Sequence, residues 1–339
     1  MNILAIESSC DETAVAIVRD GRQVLADCIA SQADMHKIYG GVVPEIASRK
    51  HIEVISGLAD QALEKAGIAK EEIDAVAVTY APGLIGALLV GVNFAKALSL
   101  SLDIPLIPVH HVRGHIAANY IAYPTLTPPF LCLCVSGGTS LIIDVRDYTE
   151  MEIIGATRDD AAGECFDKIA RVLGLGYPGG APLDRLSQKG NPQSFSLPRA
   201  LVQGAPFDMS FSGLKTAALN LIHNQEQKGE ALPLEDFAAA FSAAVSDSLV
   251  PRTLEAARKL SRGKIAVVGG VAANSRIRSD LESQCQKNGI ELYLPPLSLC
   301  GDNGAMIGSQ AYYEYRAGHL ASQSLNAYAN REISSSYFR

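Results

Sequence analysis

Three of the seven histidines fall within six residues, His110-His111-Val112-Arg113-Gly114-His115. Side chains four apart share a helix face, so on a helix the imidazoles of His111 and His115 could close on one metal ion, with His110 pointing elsewhere. Zinc proteases with this spacing carry a glutamate after the first histidine as general base. Here that position is Val112, so the pair offers two ligands and no base. A capped strand-to-helix corner is the competing reading. A third ligand must come from elsewhere. Asp302, in Cys300-Gly301-Asp302-Asn303-Gly304, is a natural helix N-cap, and it would also complete a site of two histidines and one carboxylate.

Three loops follow apolar runs. The first is Glu7-Ser8-Ser9-Cys10-Asp11-Glu12-Thr13. The second, Val135-Ser136-Gly137-Gly138-Thr139-Ser140, has adjacent glycines that let backbone amides approach an anion, or simply make a hairpin. The third, Gly269-Gly270-Val271-Ala272-Ala273-Asn274-Ser275, is either a nucleotide-facing turn or a tight turn with Asn274 or Ser275 capping the next helix. Asp167 and Asp184 could accept from a ribose or substrate hydroxyl. A solvated helix face for Asp167 and a cap role for Asp184 compete with that.

Elements must hold these residues. At 339 residues, two domains are expected. With 48% hydrophobic and 19% charged residues and 29 glycines, the chain reads as a compact α/β enzyme. Its net charge of −7 gives no global attraction to nucleic acid, so RNA contact needs a local basic patch or a partner. Candidates are Arg49, Lys50, Arg113, Arg199, Lys215, Arg276 and Arg278. The seven scattered cysteines lack a Cys-x-x-Cys and suggest a reducing compartment. Glu7, Asp11 and Glu12 argue against a signal peptide. The apolar stretch 83–102 carries glycines, Asn93 and Lys96 and is expected to be a core helix.

Three antiparallel strands open the chain, at 2–7, 13–19 and 23–31. A helix (44–66), strand (73–79), helix, strand (104–109) and the histidine helix follow. The same order recurs: strands 130–135, 140–146 and 152–156, a helix 161–173, a strand 264–268, a helix 273–288, a strand 290–294 and a helix 303–316. An insertion, 174–262, carries Gly- and Pro-rich loops and a helical stretch at 234–260. The expected division is 1–125, completed by a C-terminal helix 303–339, against 126–302. Two copies of one unit would face each other across a cleft.

Over nearly its whole length the chain resembles the bacterial tRNA N6-adenosine threonylcarbamoyltransferases, the TsaD/Kae1 family once labelled O-sialoglycoprotein endopeptidase. The resemblance is carried by the 7–13 loop, His111-Val112-Arg113-Gly114-His115, Val135-Ser136-Gly137-Gly138, Phe166-Asp167-Lys168, Tyr177-Pro178-Gly179-Gly180, Phe211-Ser212-Gly213-Leu214-Lys215-Thr216, Gly269 to Asn274, and Asp302-Asn303-Gly304-Ala305-Met306-Ile307. It departs where the family usually has His-Thr and this chain has Thr139-Ser140.

The resemblance implies an actin-like (ASKHA) ATPase fold built from duplicated ribonuclease H-like βββαβαβα domains. It implies a divalent metal, Fe2+ foremost or Zn2+, on His111, His115 and Asp302. The nucleotide moiety would contact Cys134, Val135, Ser136, Gly137, Gly138, Asp167, Gly180, Asp184 and Asn274. The implied reaction moves a threonylcarbamoyl group from threonylcarbamoyl-adenylate to N6 of the adenosine 3′ of the anticodon, in tRNAs reading codons that begin with A. Asp11 or Glu12 is the candidate proton acceptor, a solvated acidic turn being the alternative. An ATP- or ADP-type nucleotide is expected in the cleft. The implied partners are tRNA, the non-catalytic paralogue TsaB and the small P-loop ATPase TsaE, in the cytoplasm and without a membrane. A sugar or acetate kinase of this fold would have no use for the histidine pair.

Overall fold

The computed structural model describes residues 1–199 and 202–334. Inter-residue contacts divide the chain into two units. The first comprises Met1–Pro128, Arg146–Glu152 and the chain from Pro295, and the second Pro129–Val145 and Ile153–Leu294. Asp302, placed with the second domain from sequence, therefore belongs to the first.

In the first unit β1 (Asn2–Glu7), β2 (Glu12–Arg19) and β3 (Gln23–Ser31) form an antiparallel meander. The one-turn α1 (Ala33–His36) and the long α2 (Pro44–Ala66) lead to β4 (Ala75–Ala81), α3 (Ile85–Leu102), β5 (Leu106–His110) and α4 (His111–Ala122). The sheet runs β3-β2-β1-β4-β5, with β4 parallel to both β1 and β5. Successive residues of β1 face opposite sides, so two cores form. Leu4 and Ile6 pack with Ile55 and Leu58 of α2 and Leu88 and Val92 of α3. Ile3 and Ala5 share the other core with Ala118 of α4.

Helix α3 is long and apolar enough to span a bilayer. Its Ala87, Leu88, Gly91, Val92 and Ala95 are buried, as a core helix requires, while Ile85, Leu89 and Leu100 are exposed on its other face.

The second unit repeats the plan with β6 (Phe130–Val135), β7 (Ser140–Val145), β8 (Met151–Ala156), α5 (Ala162–Val172), α6 (Gly180–Ser187), α7 (Ser212–Lys228), α8 (Leu234–Lys259), β9 (Lys264–Val268), α9 (Ser275–Asn288) and β10 (Glu291–Tyr293). Its sheet order, β10-β9-β6-β7-β8, matches the first sheet strand for strand. The insertion holds α6 and α7 besides the expected long helix. Helix α7 lies where Gly- and Pro-rich loops are expected; its first turn, Ser212-Gly213-Leu214, is weakly helical by composition.

The last helix, α10 (Gly304–Arg316), returns to the first unit, where Met306, Ile307 and Ala311 complete the core that contains Ile3 and Ala5. It ends at Arg316 rather than continuing as the expected helix 303–339. Gly318 turns left-handed at φ +77 and Ala321 bridges to Leu106. The end of that expected helix, 335–339, lies outside the described residues, as do positions 200 and 201 of the insertion.

Candidate active site

Helix α4 begins at His111 because the ring of His110 caps it, its Nδ1 accepting from the Val112 amide at 3.2 Å. His111 and His115 then occupy one face, their ring centroids 4.6 Å apart. Asp302 lies two residues ahead of α10, and the cap there is Asn303, whose Oδ1 accepts from Met306 N at 2.8 Å. The carboxylate of Asp302 is instead turned to the imidazoles. Its Oδ1 lies 3.2 Å from His115 Nε2 and 3.6 Å from His111 Nε2. The three candidate ligand atoms lie within 4.8 Å of one another.

Glycine at 304 permits this placement, since a Cβ there would meet Ala16 N at 2.7 Å. Two imidazoles and one carboxylate, converging and largely buried, are a donor set suited to a divalent transition-metal ion. Burial works against charge on His111 and Asp302. Even so, Glu7 and Asp302 raise His111 to about 9, and the two histidines hold Asp302 well below the usual carboxylate range.

Behind the pair stands Glu7, at the end of β1 and fully buried. Its Oε2 lies 2.9 Å from His111 Nδ1 and accepts from Thr79 Oγ1 at 2.6 Å, while Oε1 accepts from Ser9 N at 2.5 Å. Sequence reasoning gave Glu7 no role. The signal was a carboxylate closing an otherwise apolar buried strand.

The acidic loop is held from below by His51 of α2, with Nε2 donating to Cys10 O at 2.9 Å and Nδ1 2.7 Å from Thr13 Oγ1. Asp11 is buried, and its carbonyl accepts from Gln32 N at 3.0 Å. Glu12 accepts from Ser31 Oγ at 3.0 Å. Burial, reinforced by Asp11 and Asp302, pushes Glu12 up to about 8. The same influences drive the Cys10 thiol far above its ordinary range, which rules it out as a thiolate nucleophile near neutral pH.

In the second unit, Cys134 and Val135 are buried in β6 and offer only backbone to a ligand. Gly137 and Gly138 at the hairpin are exposed, with open space where their side chains would be. The loop is seated by Gly163, whose amide donates to Ser136 O at 3.2 Å, and by Gly269, where a Cβ would strike the Val135 carbonyl oxygen. Asp167 is not a solvated helix face. It is half-buried, and its Oδ1 accepts from Gly179 N at 2.7 Å, fixing the turn that presents Gly180. Asp184 lies inside α6 rather than capping it, and its Oδ1 accepts from the amide and hydroxyl of Ser275 at 3.0 and 2.8 Å. Asn274 is the cap of α9, its Oδ1 accepting from Ile277 N at 3.1 Å. The loops holding all these residues are thereby joined within one unit.

The basic candidates fare differently. Arg113 is buried, bonded to Glu314 Oε1 at 2.9 Å and to the Ile333 carbonyl, and is a structural residue rather than a phosphate contact. Arg199 pairs with Asp247, Lys215 with Asp160, Arg276 with Asp280 and Lys50 with Glu53.

Two sheets of the same strand order, each a meander extended by parallel strands, define an actin-like ATPase fold. Solved structures of that fold align over nearly the whole chain: HypF of T. kodakarensis at TM-score 0.63 and 17% identity, covering 96% of this chain and 49% of that one, and the Acidaminococcus fermentans (R)-2-hydroxyglutaryl-CoA dehydratase component A at 0.55 and 18%, covering 94% and 98%. The family is narrower than the fold. The model described as "TsaD: tRNA N6-adenosine threonylcarbamoyltransferase" matches residues 23–309. Proteins with that name from Clostridium botulinum (strain 657 / Type Ba4) and Clostridium kluyveri (strain NBRC 12016) are 53% and 52% identical, each alignment covering 98% of both chains. The chain belongs to the tRNA N6-adenosine threonylcarbamoyltransferase family, and is a transferase acting in tRNA modification.

Proposed function

We propose that the chain transfers a threonylcarbamoyl group from threonylcarbamoyl-adenylate to N6 of the adenosine 3′ of the anticodon, in tRNAs reading codons that begin with A, and that it does so with one divalent metal ion. The observation that carries the reading is the convergence of His111, His115 and Asp302, residues from remote segments, on one small volume. His111, His115 and Asp302 would hold iron or zinc. When bound, the ion supplies Lewis-acid polarisation of a donor oxygen.

The exposed Gly137-Gly138 amides, with Gly180, Asp167, Asp184 and Asn274, hold the nucleotide end of the donor, which an ATP- or ADP-type nucleotide can also occupy. Backbone donors there would stabilise the charge gathering on the departing phosphate. The adenosine nitrogen attacks the carbamoyl carbon, a C–N bond forms, the C–O bond to phosphate breaks, and AMP leaves. The proton released by nitrogen passes to Glu12 or Asp11.

An acidic chain in which Lys50, Arg113, Arg199, Lys215 and Arg276, five of its seven candidate phosphate contacts, are each paired with a carboxylate is poorly equipped to grip tRNA alone. This supports assistance from TsaB and TsaE in the cytoplasm.

Elemental analysis with single-turnover transfer from supplied adenylate tests the proposal. His111→Ala and Asp302→Ala should each lose the metal and slow transfer by at least about 100-fold. Full transfer by a metal-free His111→Ala protein would overturn it.

A further inference from the structure

The two histidines of the cluster are not equivalent. His115 has a buried Nδ1 with no hydrogen-bond partner, whereas His111 Nδ1 faces a buried carboxylate. That carboxylate is anchored independently of the cluster, by the Ser9 amide on one oxygen and the Thr79 hydroxyl on the other. A carboxylate only accepts, so Nδ1 must carry the proton when the two are bonded. Nε2 is then the nitrogen that faces Asp302. Ser9 Oγ, 3.2 Å from the same Nδ1, reinforces this ring orientation.

From this geometry we propose that Glu7 is the positioning residue of the candidate metal centre: braced by Thr79 and the Ser9 amide, it keeps the His111 proton on Nδ1 and so presents Nε2 to the ion. The inference rests on reading His111, His115 and Asp302 as a divalent-cation site. A carboxylate behind a ligating imidazole fixes its tautomer and raises its basicity, and losing such a partner weakens metal binding by roughly 10–100-fold. Glu7 touches no substrate in this account. It acts through His111.

The test is Zn2+ affinity, measured by competition against a chelating indicator on the full chain, with the thermal midpoint of each metal-free variant recorded. Glu7→Gln, nearly the same shape without the charge, should bind zinc roughly 10–100-fold more weakly. Thr79→Val, which removes the hydroxyl that aims Oε2, should weaken binding by a smaller factor, and Thr79→Ser should restore it. In the zinc-loaded wild-type protein, the imidazole 15N shifts of His111 should place zinc on Nε2 and the proton on Nδ1. Wild-type affinity in Glu7→Gln, or zinc on Nδ1, overturns the proposal while leaving the metal site in place. Absence of zinc binding by the wild-type chain overturns the metal reading itself and this inference with it.

Discussion

A carboxyl group raised to about 8 is protonated at neutral pH, which governs how Glu12 can serve as a base. Only its ionised form accepts a proton, so single-turnover transfer should rise with pH as Glu12 ionises and then level, the rise lying at or below about 8. In metal-loaded enzyme the rise sits lower, because a cation at Asp302 offsets the repulsion that lifts Glu12. Glu12→Gln should lose this limb and slow transfer by roughly 10²–10⁴-fold, the usual contribution of a positioned base. A pH profile of wild-type shape in Glu12→Gln would hand the role to Asp11, whose exchange for asparagine is the companion measurement. The sequence places both carboxylates where β1 turns into β2. It could not show what encloses them: Gln32 N on the Asp11 carbonyl, Ser31 Oγ on Glu12, and the Asp302 carboxylate whose charge acts on Glu12.

At the scale of elements, the site depends on how α10 and the βα turns are seated. The first amide of α10, Gly304 N, donates to Asp27 Oδ1 of β3 at 3.1 Å. Burial raises Asp27 to about 6, the Gly304 and Ala305 amides opposing it only in part. Its folded pKa exceeds the ordinary value of 3.8, so between these values the folded state binds more protons than the unfolded one. That contribution to stability is full below the lower value, declines as pH rises through about 6, and is level above. Urea unfolding of Asp27→Asn should lack this decline when pH 4.5 and pH 7 are compared with the wild type.

The turn after β9 gives a second element-scale test. Gly269 has φ +90, a region closed to residues with a Cβ, and that Cβ would strike the Val135 carbonyl. Gly269→Ala should cost about 1–3 kcal/mol for the backbone alone, and it should weaken nucleotide binding by displacing the Ser136 loop. Denaturant unfolding and nucleotide titration of the same variant check both effects.

Across the whole molecule, the candidate metal ligands belong to one unit and the candidate nucleotide residues to the other. A ligand stabilises the state it binds, by about 2.7 kcal/mol at a hundredfold excess over Kd. Hydrogen exchange should therefore slow in α4 and at the start of α10 when zinc is added, and in the 136–139 and 269–275 loops when an ATP-type nucleotide is added. Zinc protection confined to the second unit would contradict the assigned ligands.

Period and order are local properties, and the sequence determined them: the repeated strand order, the i, i+4 histidine face, and the glycine pairs after β6 and before α9. What only the tertiary structure decided is where side chains distant in sequence meet. Asp302 and Asn303 are adjacent and both able to cap α10, and packing of Gly304 against β2 gives the cap to Asn303 and turns Asp302 to the histidines. Glu7 and Thr79 became partners because β1 and β4 lie side by side in the sheet. Arg113, outwardly a free cation beside two histidines, is consumed by Glu314 of α10. Pairing of this kind depends on sheet order and helix packing, which spacing along the chain does not encode.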